Sequence, residues 1–211
     1  MKKLTFKIQL EGIKPAIWRV LQVPSEMSVE DFAVNIQIAM GWTYSHLYGF
    51  TIEDREYWNS EFMENVEDDD NVYPYDDMLV EDLLAFEKPV TFIYDFGDTW
   101  RHSVKLIHTE EYAKGERKCA KILDGARCCP PEDVGGIYGF KEMLDILKRK
   151  PHSEEAQSYL TWLGGTFNPE RFNIREVASD LAFYRMHHIF PGAEPDELDF
   201  IDPVDGTKYY S

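Results

Sequence analysis

The sequence predicts an α+β fold, with an antiparallel sheet formed mainly by the N-terminal half and covered by helices mainly from the C-terminal half. Apolar and polar residues alternate near the N-terminus and again around residues 90–106, as in half-buried strands, whereas apolar residues recur at helical spacing from residue 140 onward. Strands therefore lead and helices follow. This order, without strand–helix alternation, favours an antiparallel sheet over a doubly wound fold.

The first fifty residues predict two strands and a helix. Residues 4–10 alternate between apolar and polar side chains, and residues 17–23 read as the second strand of a hairpin. Ser28 has the character of a residue that caps the start of a helix. Gly41 suits the end of that helix, because glycine readily adopts the left-handed conformation found there.

The middle of the chain predicts further strands separated by an acidic stretch. Residues 46–52 alternate again, whereas residues 53–77 are polar and acidic, and the almost continuous acid at residues 64–70 predicts an exposed loop or a flexible insertion there. A short helix is predicted over residues 80–86. Alternation on both sides of Gly97 predicts a β-hairpin.

The C-terminal half predicts a long loop and then three helices. Residues 110–136 hold several turn pairs and no sustained periodicity, which is typical of a loop. One helix is expected from about residue 140 to Pro151 and a second from residue 156 to Gly164. A third begins near Asn173 and continues to about residue 189.

The domain organisation follows from length and from the composition of the C-terminus. A chain of 211 residues is long enough to bury a hydrophobic core in one domain. Beyond residue 190 the sequence is acidic and rich in Pro and Gly. We therefore predict a single α+β domain over residues 1–190 and an acidic, loosely held tail over residues 191–211.

Composition also restricts the partners. Lys and Arg number 22 and Asp and Glu number 39, so the formal net charge is −17. Binding to nucleic acid relies on cations that replace the counterions on phosphates, and the one basic run noted, residues 148–150, sits at a predicted helix end, where it offsets the dipole. No apolar run is long enough to cross a bilayer, and no signal peptide is visible. We therefore expect a cytoplasmic protein without a nucleic-acid or membrane partner.

Four segments combine rigid aromatic residues, glycines and polar groups, and together with a fifth segment near the N-terminus they resemble the plasmid pRi ORF-three-like family. They are residues 13–19, 40–47, 94–102, 124–136 and 159–165, and the resemblance extends over about residues 4–181. It implies an α+β fold and supplies no activity. Some members of that family carry the label of a TnpR-type resolvase, but the nucleophilic serine in an arginine-rich site that a serine resolvase needs is missing here.

The three cysteines raise the question of a metal site. Cys119, Cys128 and Cys129 lie in one loop-like stretch, and an odd number in an intracellular protein argues against a disulfide framework. The family pattern often has a cysteine three residues before the glycine of an Asp-Gly turn, where this chain has Ile122. Cys119 and Cys129 could bind zinc with His102 or His108, but no spacing signature supports it. We expect small, partly buried thiols and no metal or other cofactor.

Two groups of polar residues have both a structural and a functional interpretation. Asp95 and Asp98 beside His102 could act in general acid–base catalysis, but such acids also cap their own turn, which is the favoured interpretation. The segment 130–136, with two prolines, two acids and two glycines, is either a rigid covering loop or a rim that recognises a ligand.

The leading hypothesis is a non-catalytic binding or protein-interaction module, since no complete catalytic set is visible. Its partner would be a protein or a small molecule held in an aromatic and acidic cleft. The alternatives are a metal-assisted hydrolase that uses Asp98, His102 and Cys129, and a DNA-associated protein of a mobile element, which the net charge disfavours. The residues expected to form the cleft are Trp42, His46, Tyr94, Asp95, Asp98, Trp100, His102, Arg127, Glu132 and Asp133.

Overall fold

The structure of the protein is a computed structural model that describes residues 1–63, 71–86 and 89–189, with the short strands Phe200–Ile201 and Lys208–Tyr209. Within these residues eight strands form one sheet, whose neighbours run antiparallel except for one parallel pair at an edge. In chain order they are β1 (Lys2–Leu10), β2 (Trp18–Pro24), β3 (Tyr48–Ile52), β4 (Arg55–Trp58), β5 (Val72–Pro74), β6 (Val90–Tyr94), β7 (Trp100–Glu111) and β8 (Lys121–Ala126). The order across the sheet is β5-β4-β3-β6-β7-β1-β2-β8.

The helices of the described residues come mainly from the C-terminal half, so the predicted α+β class is confirmed. The α-helices are α1 (Val29–Met40), α2 (Gly136–Arg149), α3 (Glu154–Trp162) and α4 (Ile174–Ile189), and 3-10 helices span Ser60–Phe62 and Val80–Ala85. Helix α1 packs against β2 and α4, and α4 also contacts β8. These contacts place α1 between the sheet and the last helix.

The centre of the sheet follows the alternation of the sequence. Strand β1 pairs with β2 on one side and with β7 on the other, both antiparallel. Leu4, Ile8 and Leu10 are fully buried, whereas Lys7 and Gln9 between them are only half-buried. Because successive side chains of a strand point to opposite faces, the apolar set of β1 faces the core. The predicted hairpins β1–β2 and β6–β7 are both confirmed.

Helix α1 begins and ends at the residues that its sequence indicates. The Ser28 hydroxyl accepts a hydrogen bond from the Asp31 N–H at 3.0 Å, which satisfies one of the free donors of the first turn. Gly41, with φ of 105°, closes the last turn in the left-handed region. Nearly every side chain between these caps is buried, because both faces of the helix are covered.

Two stretches for which no strand was predicted contain strands. Within residues 53–77, β4 and β5 extend one edge of the sheet, and within residues 110–136, β8 pairs with β2 at the other edge. The Asp-Gly pair of β8 is therefore not a turn. Gly125 lies opposite Arg19, and a Cβ there would come within 2.5 Å of the Phe172 ring, so the strand needs a residue without a side chain.

The buried apolar residues from Leu4 to Leu181 form one hydrophobic cluster. The predicted acidic loop at residues 64–70 lies outside the described residues, and so does most of the predicted tail. Within that tail, Phe200–Ile201 and Lys208–Tyr209 pair as antiparallel strands. Of the helices in the described part of the chain, none is both long and apolar enough to cross a bilayer.

Candidate functional site

The candidate site is built where α1 ends. The N–H of Gly41 donates to the carbonyls of Gln37 and Ile38 at 2.9 and 3.1 Å, so the chain turns sharply after the helix. Trp42 consequently enters the core, whereas Thr43 remains exposed at the surface. The segment after α1 thus joins the buried interior to a surface loop within two residues.

A buried aromatic layer lies beneath this loop. Trp42 stacks on Tyr94 with a centroid separation of 4.5 Å and meets the edge of His102 at 5.1 Å. Its Nε1–H donates to the Pro130 carbonyl at 3.2 Å. Trp42 is 4% exposed, and Tyr94, Trp100 and His102 are 0% exposed. The structure brings these four predicted residues together as a floor below the surface, and their contact with a ligand stays a prediction.

His102 is held neutral by its surroundings. Burial lowers its pKa to about 3. Its Nδ1 lies 3.3 Å from the Phe92 carbonyl oxygen, while its Nε2 has no hydrogen-bond partner in the described part of the chain. A ring with no exposed surface cannot reach a substrate, so the arrangement does not support the role that His102 has in the hydrolase alternative.

Glu132 connects the loop after α1 to the end of β6. Its carboxylate accepts hydrogen bonds from the Tyr94 hydroxyl at 2.5 Å and from the Thr43 N–H and hydroxyl at 3.0 and 2.6 Å. Burial raises the pKa of Glu132, but these bonds outweigh burial and leave its pKa below the ordinary value. Burial and the bond to Glu132 both raise the pKa of Tyr94. Glu132 is therefore an ionised, fixed wall of the site.

His46 lies between two carboxylates from two other loops. Its Nδ1 is 3.7 Å from Asp95 Oδ2, and its Nε2 is 3.5 Å from Asp133 Oδ1. Asp95 is 8% exposed, and its Oδ1 accepts from the N–H groups of Gly97 and Asp98 at 2.9 and 3.3 Å. The structure therefore brings together His46, Asp95 and Asp133, three of the residues predicted from the sequence.

Asp98 and Arg127 fix the loops of the site. Asp98 Oδ2 accepts from the Gly135 N–H at 3.2 Å, and a Cβ on Gly136 would lie 2.7 Å from the Asp98 carbonyl oxygen, so glycine is required there. Arg127 donates to the Pro15 carbonyl at 2.6 Å and to Glu170 at 2.9 Å. Both side chains therefore hold protein segments together, and their role as ligand anchors stays a prediction.

Arg19 ties the C-terminal end of α1 to the sheet. The side chain is 3% exposed and donates to the carbonyls of Ala39, Ala126 and Arg127 at 2.6, 3.0 and 3.0 Å. Its guanidinium also stacks on the Phe172 ring at 4.4 Å. The last carbonyls of a helix lack partners within the helix, and Arg19 supplies donors for them.

An open cleft of about 450 Å³ lies beside these residues. One wall is the end of α1 with Trp42 and Thr43, the second is the loop from Cys128 to Glu132, and the third is the start of α4 with the segment before it. The lining residues outside the first two walls, which the sequence did not indicate for the site, are Arg19, Phe167, Arg171, Phe172, Asn173, Glu176, Val177 and Asp180.

Charges at the third wall are uneven. Arg171 pairs with Glu176 at 2.7 Å on the surface. Asp180 follows one turn later, and partial burial together with the charge of Glu176 raises its pKa, although the residue is exposed overall. Acids four residues apart on a predicted helix were a signal for this wall. What the sequence lacked was any indication that α4 packs beside Trp42.

The cysteines are free thiols. Burial raises the pKa of Cys128 and raises that of Cys129 further, against the opposing effect of Arg19. Both thiols therefore remain protonated at neutral pH. In the described residues the cluster of groups with metal-ligand spacing is His46, Asp95 and Asp133, and no cysteine is part of it.

Fold and site together define an α+β protein with a mostly antiparallel eight-stranded sheet and a cleft at the end of its first helix. The chain belongs to the family of plasmid pRiA4b ORF-3-like proteins, whose sequence profile matches residues 2–176. It is 33% identical over 171 residues to "Uncharacterized protein y4hQ" of Sinorhizobium fredii (strain NBRC 101917 / NGR234), a match that covers 76% of this chain and 80% of the relative.

A solved structure is similar over nearly its whole length. The protein of unknown function MM3350 from Methanosarcina mazei Go1 matches with a TM-score of 0.71 and 30% sequence identity, which covers 83% of this chain and 97% of that one. The resemblance to the family noted from the sequence is thereby confirmed, as is the fold. Neither relative's name gives an activity, so the function has to be argued from the site.

Proposed function

We propose that the protein is a non-catalytic binding module whose cleft takes a ligand with a cationic group, an amine or a guanidinium, attached to an apolar body. The observation that carries this proposal is the cleft of about 450 Å³ with aromatic and acidic walls. That volume lies within the range of about 300–1,000 Å³ that is usual for ligand sites.

The charge of the walls selects for a cation. Glu132, Glu176 and Asp180 contribute three carboxylates, against the guanidinium groups of Arg19 and Arg171. The Arg19 guanidinium donates its hydrogen bonds to backbone carbonyls, and Arg171 forms an ion pair with Glu176. The Arg171–Glu176 pair is neutral as a whole, so Glu132 and Asp180 leave the walls with one negative charge in excess over Arg19. The raised pKa of Asp180 supports the same selection, because a cation beside it would offset both desolvation and repulsion from Glu176.

The apolar walls supply the rest of the recognition. Phe167 and Phe172 are half-buried and line the cleft next to the buried Trp42. Aromatic faces hold an apolar body and attract a nearby cation. The same chemistry occurs in a small aromatic amine and in an Arg or Lys side chain next to an aromatic residue on a protein partner. The net charge of −17 favours the approach of either.

The experiment is an NMR titration of the ¹⁵N-labelled full chain with phenethylamine and with an amidated Arg-Phe dipeptide. We expect shifts at the Trp42 indole N–H and at the amides of Thr43 and Asp180, and no shifts with 2-phenylethanol, which lacks the charge. If the dipeptide binds more tightly than the amine, the partner is a protein; the reverse order points to a small molecule.

Matched variants test the acidic wall. The double change Glu176→Gln and Asp180→Asn keeps the size of both side chains and removes both charges, and we expect it to weaken binding of the amine at least about tenfold. Glu142→Gln, an exposed acid on α2, serves as the control and leaves binding unchanged. Equal binding of the amine and the alcohol, or equal binding by both variants, would refute the proposal.

A further inference from the structure

A second cavity, of about 370 Å³, lies beside α1 and α4, nearer the start of α1 than the cleft does. The cleft is lined by Ile38 of α1 and Val177 of α4, whereas this cavity is lined by Asn35 of α1 and Tyr184 of α4. Its third side is the segment just before β8. The described residues that line it, and that do not line the cleft, are Met27, Asp31, Asn35, Lys118, Cys119, Ala120, Leu181, Tyr184 and Arg185.

Two basic side chains line this cavity without an acidic partner. Lys118 is exposed and Arg185 is half-buried, and neither side chain forms an ion pair or a hydrogen bond with a residue in the described ranges. Lys121, close to Lys118 in the sequence, does have such a partner in Glu116, at 3.7 Å. Partial burial of a guanidinium without an acceptor is costly. An anion in the cavity would offset that cost for Arg185.

Asp31, the carboxylate among the described lining residues, already has donors of its own. Its Oδ2 accepts from the Ser28 hydroxyl at 3.0 Å, and its Oδ1 accepts from the Tyr184 hydroxyl at 3.1 Å. Burial and the charge of Asp31 raise the pKa of Tyr184, so this hydroxyl stays protonated and donates. The lining therefore has one positive charge in excess, in a chain whose formal net charge is −17.

The other walls of the cavity are mainly aliphatic. Met27 and Ala120 pack against the hydrophobic cluster, and Leu181 belongs to it. Asn35 is the most buried polar side chain of the lining, with 4% of its surface exposed, and its Nδ2 donates to the Asp31 carbonyl at 2.6 Å. An amide nitrogen has two hydrogens, so Asn35 has a second donor to offer to a ligand.

We propose that this cavity binds a small aliphatic carboxylate, whose anionic group pairs with Arg185 and whose hydrocarbon chain packs against Met27 and Leu181. A guanidinium matches a carboxylate with two parallel hydrogen bonds, and Lys118 adds a second positive charge at the surface. The flexible Met27 adapts to a chain of variable shape. The volume of about 370 Å³ lies within the range of about 300–1,000 Å³ that is usual for ligand sites.

The test is an NMR titration of the ¹⁵N-labelled full chain with butanoate, hexanoate and octanoate at neutral pH. We expect shifts at the backbone amides of Ala120 and Leu181 and at the side-chain amide of Asn35, with hexanoate binding more tightly than butanoate because it buries more hydrocarbon. Hexanol has the same chain without the charge and should bind at least about tenfold more weakly. The amide of Thr43, at the cleft, should not shift.

Matched variants test the role of the guanidinium. Arg185→Gln removes the half-buried charge, and we expect it to weaken hexanoate binding at least about tenfold. Arg117→Gln makes the same change at an exposed arginine that does not line the cavity, and should bind hexanoate as the wild type does. Arg185→Lys keeps the charge but not the planar fork, so its affinity should fall between the two. Circular dichroism verifies that each variant is folded.

Two results would overturn the proposal outright. One is the absence of shifts at Ala120 and Leu181 with all three carboxylates, and the other is equal binding of hexanoate by Arg185→Gln and Arg117→Gln. Equal binding of hexanoate and hexanol would likewise exclude recognition of the charge. Shifts confined to Thr43 would place the carboxylate in the cleft, against this proposal and against the cation proposed there. Phenethylamine binding should be unchanged in Arg185→Gln, so the two proposals fail separately.

Discussion

At the N-terminal end of α1, Glu30 accepts hydrogen bonds from the Tyr48 and Tyr75 hydroxyls at 2.5 and 2.6 Å. Near the C-terminal end, Glu132 accepts from the Tyr94 hydroxyl at 2.5 Å and from Thr43. The tyrosine–carboxylate contact is the same at both ends. The surroundings differ, because Glu132 lines the open cleft, whereas Glu30 is not among the residues that line it.

The difference separates a structural cluster from a candidate binding cluster. Glu30 lies in the first turn of α1, where its charge also complements the helix dipole, and Asn59 donates to it as well at 3.2 Å. Burial and the bond to Glu30 raise the pKa of Tyr75, so its hydroxyl stays protonated and donates. A carboxylate of this kind fastens β3 and residue 75 to α1. Glu132 connects the loop after α1 to the end of β6, and its carboxylate forms part of the wall of the open cleft.

The largest expected effect is at the C-terminal end of α1. There, Arg19→Met removes the guanidinium that donates hydrogen bonds to the carbonyls of Ala39, Ala126 and Arg127. We expect a loss of about 3–5 kcal/mol in the free energy of unfolding, measured by urea denaturation, because buried acceptors lose their partners. Arg171 lines the same cleft, but Arg171→Met removes only an exposed ion pair. This change should lower the free energy of unfolding by less than about 1 kcal/mol. Similar losses in the two variants would mean that Arg19 does not hold this end together.

A second expected effect is a pH dependence of the free energy of unfolding that comes from His102, which lies in the aromatic layer beneath the loop after α1. Its folded pKa of about 3 lies below the ordinary value of 6.5, so the unfolded chain binds more protons between these two values. The histidine's contribution to stability is therefore complete above pH 6.5 and is lost as the pH falls toward 3. The slope should reach about 1.4 kcal/mol per pH unit.

The measurement is the free energy of unfolding from urea titrations between pH 4 and pH 7. Carboxylates also contribute to this slope, so the informative quantity is the difference between the wild type and His102→Gln, which lacks the titrating ring. His108→Gln changes an exposed histidine on β7 and should retain the wild-type slope. Identical slopes in the wild type and His102→Gln would contradict a buried neutral imidazole.

The features of the fold that depend on neighbouring residues were predictable from the sequence, whereas the features that depend on distant contacts were not. Ser28 and Gly41 identify the ends of α1, because capping depends on one or two residues and their immediate neighbours. Strand β8 was missed, because its Asp124-Gly125 pair reads as a turn. The reason for the glycine is the Phe172 ring, which reaches it from a segment nearly fifty residues later.

The same limit applies to the site. The aromatic residues were expected to form cleft walls, but Tyr94, Trp100 and His102 are fully buried, and an aromatic core residue has no sequence pattern that distinguishes it from an aromatic wall. Grouping His46 with Asp95 was predictable, since both occur in motifs rich in aromatic residues. Asp180 was not, because only the packing of α4 against α1 brings it to the cleft.

The smallest expected effect comes from a matched pair that compares the two ends of α1 directly. Tyr75→Phe and Tyr94→Phe each remove one hydroxyl from a fully buried ring that donates to a carboxylate. We expect Tyr75→Phe to lower the free energy of unfolding by about 2 kcal/mol, which is typical of a hydrogen bond to a charged group. Tyr94→Phe should cost about 1 kcal/mol, because Glu132 keeps both bonds from Thr43 and can take water from the cleft.

Chemical denaturation of the two variants in the same buffer gives the difference of about 1 kcal/mol that these values imply. Tyr138→Phe, which changes an exposed tyrosine on α2, measures the effect of losing a hydroxyl at the surface. Equal losses at Tyr75 and Tyr94 would indicate that water from the cleft does not replace the missing donor. Glu132 would then belong with Glu30 as a purely structural carboxylate, and the acids of α4 alone would remain as the polar wall that recognises the ligand.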